Sequence, residues 1–194
     1  MNSVYLNQLG ILCPLGNDPE TVYRRLVSGD RSGLVVSDHC HPGHASPLGR
    51  VHAELPALPA SMAEYQCRNN QLLLAAFEQL RPSFEHLSRG LDRARIGVVL
   101  GTSTAGIDQG ERALQQWHAG QPAPDGYHYH QQQLGAGADF LARHLKLDGP
   151  SLTLSTACSS SGRALASARA LIRNDLCDLV IAGGADSLCS LTVQ

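Results

Sequence analysis

One cysteine of this chain stands among small residues where a strand should turn into a helix. Cys158 lies in the segment from Ser155 to Gly162, which reads STACSSSG. A helix start presents free backbone N–H groups and the positive end of the helix dipole, and both favour a thiolate, the nucleophilic form of cysteine. The same N–H groups can stabilise the oxyanion that forms when a thioester is attacked. The pattern therefore predicts a nucleophile with part of an oxyanion hole, although cysteines in apolar segments are more often buried and inert.

The residues around Cys158 predict a strand, a helix and a second strand. The strand pattern covers Ser151 to Thr156, and Ser159 to Arg173 has apolar residues on one side of a helix. Asp178 to Ala182 reads as a second buried strand. Three such elements within about thirty residues indicate a βαβ unit, which should cross over with a right hand.

The rest of the chain alternates predicted strands and helices. The run from Arg95 to Gly101 is continuously apolar and ends in a turn of small residues, which is typical of a buried parallel strand. A short strand is predicted within Val4 to Leu12, and Ser37 to Pro59 reads as a long surface excursion. Helices are predicted after the capping residue Asp18, from Gln66 to Leu80, from Asp108 to His118, and from Gln131 to Leu145.

Composition limits the class of protein. The 194 residues fit one domain or one large half of a two-part fold, and the net charge of −2 gives no electrostatic case for nucleic acid or an anionic membrane. No apolar run approaches the ~20 residues that a membrane helix needs. The first residues carry neither a basic nor an apolar signal region. We therefore expect a soluble, cytoplasmic protein.

Neither the other cysteines nor the histidines form a standard metal site. The six cysteines include no CxxC pair, so no zinc ribbon or disulfide framework is indicated. His39, Cys40 and His41 with His44 match no zinc spacing, and surface histidines are the favoured interpretation over a metal site. We expect no metal and no cofactor.

Three further motifs favour structural roles. His128 and His130 are expected in a loop or an interface rather than in catalysis. The segment from Gly101 to Gly106 lacks the Gly-Lys-Ser/Thr of a phosphate loop and is predicted to be a packed turn. The serines from Ser159 to Ser161 are expected to form hydrogen bonds at the helix start.

The residues from Thr156 to Gly162 closely resemble the nucleophile motif of the β-ketoacyl-[acyl carrier protein] synthases of fatty acid and polyketide assembly. The resemblance extends in order along nearly the whole chain. It includes Leu9-Gly10 with Pro14 to Asn17, Arg95 to Gly106, Gly149 to Ser151, Leu171 to Arg173, Cys177-Asp178, and Ala182 to Asp186.

The resemblance implies an α/β, thiolase-like layered fold, with residues 1–194 as an N-terminal half whose mixed, largely parallel sheet is flanked by helices. It implies that Cys158 takes an acyl group from an acyl carrier protein as a thioester, which the carbanion from decarboxylated malonyl-carrier protein then attacks, in fatty acid biosynthesis. It places Thr104 in the lining of the acyl pocket. It also implies a homodimer.

Judged by the resemblance, this chain lacks some of the family's catalytic residues, and the biosynthetic pathway is not decided. The family's two catalytic histidines, its lysine and a glycine-rich segment belong to a second half, and no histidine of this chain matches those positions. We therefore expect a truncated chain, a fragment or one part of a split protein that does not condense substrates alone. The alternatives are a condensing enzyme of a specialised polyketide or aryl polyene pathway, a thiolase, and a non-catalytic chain-length partner, which Cys158 argues against.

Overall fold

The computed structural model describes residues 3–38 and 42–193. The strands are β1 (Leu34–Ser37), β2 (Ser46–Gly49), β3 (Ile96–Gly101), β4 (Ser151–Leu154) and β5 (Leu179–Gly184). The α-helices are α1 (Pro19–Val27), α2 (Arg68–Glu78), α3 (Arg81–Leu87), α4 (Ile107–His118), α5 (Ala136–His144), α6 (Ser160–Arg173) and α7 (Ser190–Val193). Short 3-10 helices cover Ala60–Tyr65, Arg93–Arg95 and Tyr129–Gln132.

A parallel sheet with the strand order β4-β3-β5 forms the centre of the fold. Gly101, the last residue of β3, pairs with Leu154 of β4 and with Gly184 of β5. The three strands therefore end level with one another. The predicted strand, helix and strand are confirmed as β4, α6 and β5, and the predicted buried strand is confirmed as β3. The α/β fold with a largely parallel sheet and flanking helices is confirmed as well.

The sheet is covered by helices on both faces. Every residue of β3 is buried, and side chains alternate between the two faces of a strand. Val98 and Leu100 pack in a core cluster with α2 and α5, whereas Val99 packs against Ala164 and Ala168 of α6. The result is a helix, sheet and helix layering that fixes the start of α6 at the end of the sheet.

Arg95 ties the start of β3 to the turn before β5. Its guanidinium donates to both carboxylate oxygens of Asp178 at 2.7 and 2.8 Å and to the carboxylate of Asp175 at 2.6 Å. A planar guanidinium matches a carboxylate with two parallel hydrogen bonds, which fixes orientation as well as distance. These bonds hold the beginnings of two neighbouring parallel strands in register.

The strand predicted within Val4 to Leu12 is wrong. This segment is irregular, and Tyr5 and Leu6 are 75% and 86% exposed. In place of a neighbouring strand, the side-chain amide of Gln79 on α2 accepts from the Ile11 N–H at 3.0 Å and donates to the Ile11 carbonyl at 2.9 Å. One glutamine thus replaces the ladder partner.

The predicted start of the first helix is confirmed, whereas the start of a later helix needs correction. Asp18 accepts from the Thr21 N–H at 2.8 Å and caps α1, as expected. The prediction of one helix from Gln131 to Leu145 needs correction, because Tyr129–Gln132 forms a separate 3-10 turn and α5 begins only at Ala136. The excursion after Ser37 likewise contains order, since β1 and β2 pair as an antiparallel hairpin. Within the described ranges, no helix has the length and apolar character to cross a bilayer.

His144 is the last residue of α5 and lies beside the guanidinium of Arg81. Its ring stacks on Phe140 with centroids 5.7 Å apart, and its Nε2 lies 3.3 Å from Nη2 of Arg81. Burial lowers the pKa of His144 below its ordinary 6.5, the Arg81 charge lowers it further, and Glu78 partly opposes both. A histidine whose folded pKa is depressed contributes stability that is complete above the ordinary pKa and is lost as the pH falls through 6.5 towards the folded pKa.

Replacing His144 with phenylalanine is therefore expected to make stability less sensitive to acid. Between about pH 7.5 and about pH 5.5 the Tm of His144→Phe should fall less than that of the original chain, because one group that takes up a proton on unfolding is gone. Thermal melts across this range measure the effect. His118→Phe, at the exposed end of α4, is the matched control and should keep the original slope. Equal slopes for His144→Phe and the original chain would contradict the assignment.

Candidate active site

Cys158 lies at the corner between a strand and a helix. Strand β4 ends at Leu154 and α6 begins at Ser160, with Ser159 as the capping residue. Cys158 is exposed, whereas Cys67, Cys177 and Cys189 are buried and Cys13 is half-buried. Among the described cysteines it is thus the one most accessible to a reagent, at the corner where the sequence predicted it.

The turn that presents Cys158 is strained and internally bonded. Ala157 has a φ of +53°, in the left-handed region that disfavours a side chain. The hydroxyl of Ser160 accepts from the Thr156 N–H at 2.9 Å and donates to the Ala157 carbonyl at 2.6 Å. The hydroxyl of Ser159 donates to the Thr156 carbonyl at 2.8 Å. Strained backbone persists only where its surroundings determine it, and here two serines do so.

The prediction for the oxyanion donors needs refinement. The N–H groups of Ser159 and Ser160 are turned back into the corner, where they donate to the carbonyls of Thr156 at 3.3 Å and Ala157 at 3.0 Å. These two amides are therefore already engaged. An oxyanion at this corner therefore has to accept a hydrogen bond from another N–H group. The backbone N–H of Cys158 is the nearest along the sequence.

Two glycines bring the start of α6 onto the sheet. A Cβ on Gly101 would lie 2.5 Å from the carbonyl carbon of Ser160, and a Cβ on Gly184 would lie 2.5 Å from the carbonyl oxygen of Gly101. Real Cβ contacts are essentially never that short. The ends of β3 and β5 can thus approach α6 only because both residues lack a side chain. This close approach sets the position of the Cys158 corner.

Cys158 lines an open cleft of about 1140 Å³. Thr104 lines the same cleft and is buried, with its hydroxyl donating to Asp186 at 3.1 Å and accepting from the Ser187 N–H at 3.1 Å. The structure therefore brings together the two site residues that the sequence singled out. The other members of the lining include Ser103, Asp108, Glu111, Arg112, Ala157, Asp186 and Ser187.

Sequence analysis missed the acidic residues of the cleft. Glu111 on α4 accepts from the backbone N–H groups of Ser190 at 3.0 Å and Leu191 at 2.8 Å, and so caps α7. Burial raises the pKa of Asp108, an effect that the charge of Arg112 partly offsets. Glu111 follows Asp108 by three positions, so a helical projection of α4 places both on one side and could have identified them.

Two of the buried thiols, Cys67 and Cys177, are poor competitors for electrophiles. Burial raises the pKa of Cys67 to about 11. Burial also raises the pKa of Cys177, against the opposing charge of Arg95. Because the thiolate is the reactive form of cysteine, a raised pKa slows its reaction at neutral pH. Burial and a raised pKa therefore both disfavour Cys67 and Cys177 as nucleophiles.

One histidine of the described residues, His52, lines the cleft, and the others do not. The ring of His130 stands edge-on against Tyr65, whose hydroxyl donates to Asp139. Neither His128 nor His130 lines the cleft. The expected cluster of His39, Cys40 and His41 lies outside the described residues. Within residues 3–38 and 42–193, no three His, Cys, Asp or Glu residues come together as metal ligands.

The segment from Gly101 to Gly106 forms the packed turn that was predicted. Gly101, Thr102, Ala105 and Gly106 are buried, so little of its backbone is open to a phosphate group. Ala105 has a φ of +46° and its N–H donates to the Thr102 hydroxyl at 2.9 Å. The segment is thus a wall of the cleft.

The fold and the sequence identify the class of protein. Residues 2–193 match the family model described as Beta-ketoacyl synthase, N-terminal domain. The chain therefore belongs to the β-ketoacyl synthase family, with its thiolase-like fold.

Individual relatives agree with this assignment. The structure of the ketosynthase ApeO in complex with its chain length factor ApeC, from Xenorhabdus doucetiae, contains a chain that superposes with a TM-score of 0.91 at 41% identity, over 97% of this chain and 48% of that one. Nodulation protein E of Rhizobium meliloti (strain 1021) is 26% identical over 95% of this chain and 46% of its own length. The chloroplastic 3-oxoacyl-[acyl-carrier-protein] synthase I of Arabidopsis thaliana is 23% identical over 95% of this chain and 40% of its own length. The chain thus spans about half the length of these relatives.

Proposed function

We propose that this chain supplies the nucleophile of a β-ketoacyl-[acyl carrier protein] synthase, an acyltransferase, and that Cys158 is the residue acylated. The proposal rests on one observation. Cys158 is exposed at the strand-to-helix corner, where it lines a cleft of about 1140 Å³ together with Thr104. Family membership supplies the class of reaction.

The proposed first half-reaction is an exchange of thioesters. The Cys158 thiolate attacks the carbonyl carbon of an acyl-carrier thioester, the C–S bond to the carrier breaks, and the carrier thiol leaves with the proton that Cys158 gave up. The transient oxyanion is stabilised by backbone N–H groups. We assign the Cys158 amide to this role, since the amides of Ser159 and Ser160 already donate within the turn. Thr104 lies in the wall against which the acyl chain is held.

The proposed second half-reaction forms a carbon–carbon bond. Malonyl-carrier protein loses CO2, and the resulting carbanion attacks the Cys158 thioester, so that the sulfur leaves as thiolate and a β-ketoacyl-carrier protein is released. One histidine of the described residues, His52, lines the cleft, and the resemblance places the family's two catalytic histidines and its lysine in a second half. The proton transfers and the stabilisation of the carbanion therefore fall to residues beyond those of this cleft lining. We propose that the chain by itself does not condense substrates.

The pathway and the partners are part of the proposal. Fatty acid biosynthesis is one assignment, supported by the 23% identity to a 3-oxoacyl-[acyl-carrier-protein] synthase. The 41% identity to a chain from the ApeO–ApeC structure favours the second candidate, a specialised pathway of the polyketide or aryl polyene type. We propose an acyl carrier protein as the substrate-delivering partner and a dimer as the working assembly, located in the cytoplasm. The dimer is formed either by two copies or with a chain length factor.

Incubation with a small acyl thioester tests the assignment of Cys158. With hexanoyl-N-acetylcysteamine, we expect intact-mass spectra to show the gain of one hexanoyl group, and peptide mapping to place it at Cys158. Limiting iodoacetamide should label the same residue first. Cys158→Ala should abolish the acyl adduct, whereas Cys13→Ala, which removes the half-buried cysteine, should retain it. An adduct at another cysteine, or none on the folded chain, would contradict the proposal.

A further inference from the structure

The segment that follows β5 is bonded to the turn that follows β3. Oδ1 of Asp186 accepts four hydrogen bonds, from the Thr102 hydroxyl at 2.9 Å, the Ser103 N–H at 2.7 Å, and the Thr104 N–H and hydroxyl at 3.0 and 3.1 Å. Hydrogen bonds to an ionised carboxylate are roughly twice as strong as those between neutral groups. A single carboxylate oxygen thus organises three consecutive residues of the cleft wall.

Ser187 extends the same set of contacts. Its N–H donates to the Thr104 hydroxyl at 3.1 Å, and its own hydroxyl donates to the Ala105 carbonyl at 3.1 Å. Ala105 is buried and has a φ of +46°, a conformation that its side chain disfavours. The contacts made by Asp186 and Ser187, which we call the 186–187 clamp, therefore hold a strained turn in place.

The clamp lies beside Cys158. Asp186, Ser187 and the turn they hold all contribute to the lining of the cleft that Cys158 lines. Strands β3, β4 and β5 end level with one another, and the clamp and the Cys158 corner both follow these ends. The clamp thus controls the wall facing the space into which an acyl chain must pass.

We propose that Asp186 is a positioning residue for the acylation of Cys158, acting through Thr104 and the turn from Thr102 to Ala105. The inference rests on the proposed function of Cys158. Removing the carboxylate leaves two backbone N–H groups and two hydroxyls without their acceptor, so the strained turn relaxes and the Thr104 wall moves. Misplacement of reacting groups by about 1 Å costs on the order of 100-fold in rate. A small alkylating reagent needs no such wall, whereas an acyl chain does.

The test compares two reactions of one sulfur. For the original chain, Asp186→Ala, Asp186→Asn and Asp125→Ala, we measure the rate of acylation by hexanoyl-N-acetylcysteamine, its dependence on thioester concentration, and the rate of alkylation by iodoacetamide. Asp125 is exposed in the loop after α4 and does not line the cleft, so it serves as the matched control. Thermal melts report the folding of each variant.

We expect Asp186→Ala to slow acylation by about tenfold or more while alkylation changes less than about twofold. Asp186→Asn keeps an acceptor oxygen in the same place and should recover most of the acylation rate. Acylation of Asp186→Ala at the original rate would overturn the inference. Asp186→Ala could also lose acylation and alkylation equally, with a fall in Tm that Asp186→Asn does not reverse. That result would show that Asp186 has only a structural role, and it would overturn the inference. If Cys158 of the original chain is not acylated, the proposed function is contradicted instead.

Discussion

Alanine at Gly184 is expected to destabilise the chain and to disable Cys158, whereas alanine at Gly183 should be tolerated. A Cβ on Gly184 would lie 2.4 Å from the Ser161 hydroxyl oxygen and 2.5 Å from the Gly101 carbonyl oxygen, while a Cβ on Gly183 would have no atom within 4 Å. The two residues are neighbours on β5, so they form a matched pair. Overpacking of this kind costs about 1–3 kcal/mol of unfolding free energy, and the displacement it forces on α6 should slow acylation by on the order of 100-fold.

Urea denaturation and the acylation assay measure both effects. A double variant, Gly184→Ala with Ser161→Ala, separates the two clashes, because it removes the serine hydroxyl but leaves the backbone oxygen of Gly101. We expect the double variant to remain destabilised. Recovery of full stability would show that a movable side chain, rather than the backbone, accounts for the requirement. Equal behaviour of the Gly183 and Gly184 variants would contradict the packing argument altogether.

The second large effect is expected at Ser160, which is only 3% exposed. Its hydroxyl is the acceptor for the Thr156 N–H at 2.9 Å. Ser160→Ala removes the acceptor of that partly buried donor, which costs about 1 kcal/mol of unfolding free energy. The turn at Ala157 then loses one of the two serines that hold its left-handed backbone, so acylation of Cys158 should slow by roughly tenfold or more.

Ser161→Ala provides the comparison, since it lies one position later on the same helix and is exposed. It should change stability by less than about 0.5 kcal/mol, as surface substitutions do. Urea denaturation and single-turnover acylation measured on both variants decide the matter. If Ser160→Ala keeps the original rate and stability, the hydroxyl does not determine the geometry of the corner.

The sequence predicted the local features of the site and missed the long-range ones. The corner at Cys158 was predictable because a strand pattern, one thiol and a helix pattern follow one another directly. Thr104 was placed in the cleft by resemblance, and the structure brings it there. Asp186 was missed because its partners from Thr102 to Thr104 come more than eighty positions earlier, and no local pattern connects them. The only available signal was a single carboxylate placed two positions after Gly184, where the strand ends.

The fold shows the same division. The pattern of β4, α6 and β5 was predicted, but periodicity carries no information on strand order, so the insertion of β3 between the other two was not. The strand predicted within Val4 to Leu12 was wrong for a physical reason, since no strand among the described residues pairs with that segment and Gln79 satisfies the Ile11 backbone instead. Local apolar character indicates a strand only where a partner exists.

The central place of β3 has a consequence for the order of folding. Its pairing with β5 joins positions such as Ile96 and Leu179, which are 83 residues apart. Contacts of such long sequence separation slow folding because a large loop must close first. During synthesis, β3 and β4 leave the ribosome well before β5. Cys158 therefore emerges before β5, and the geometry of its corner is completed only when β5 docks on β3.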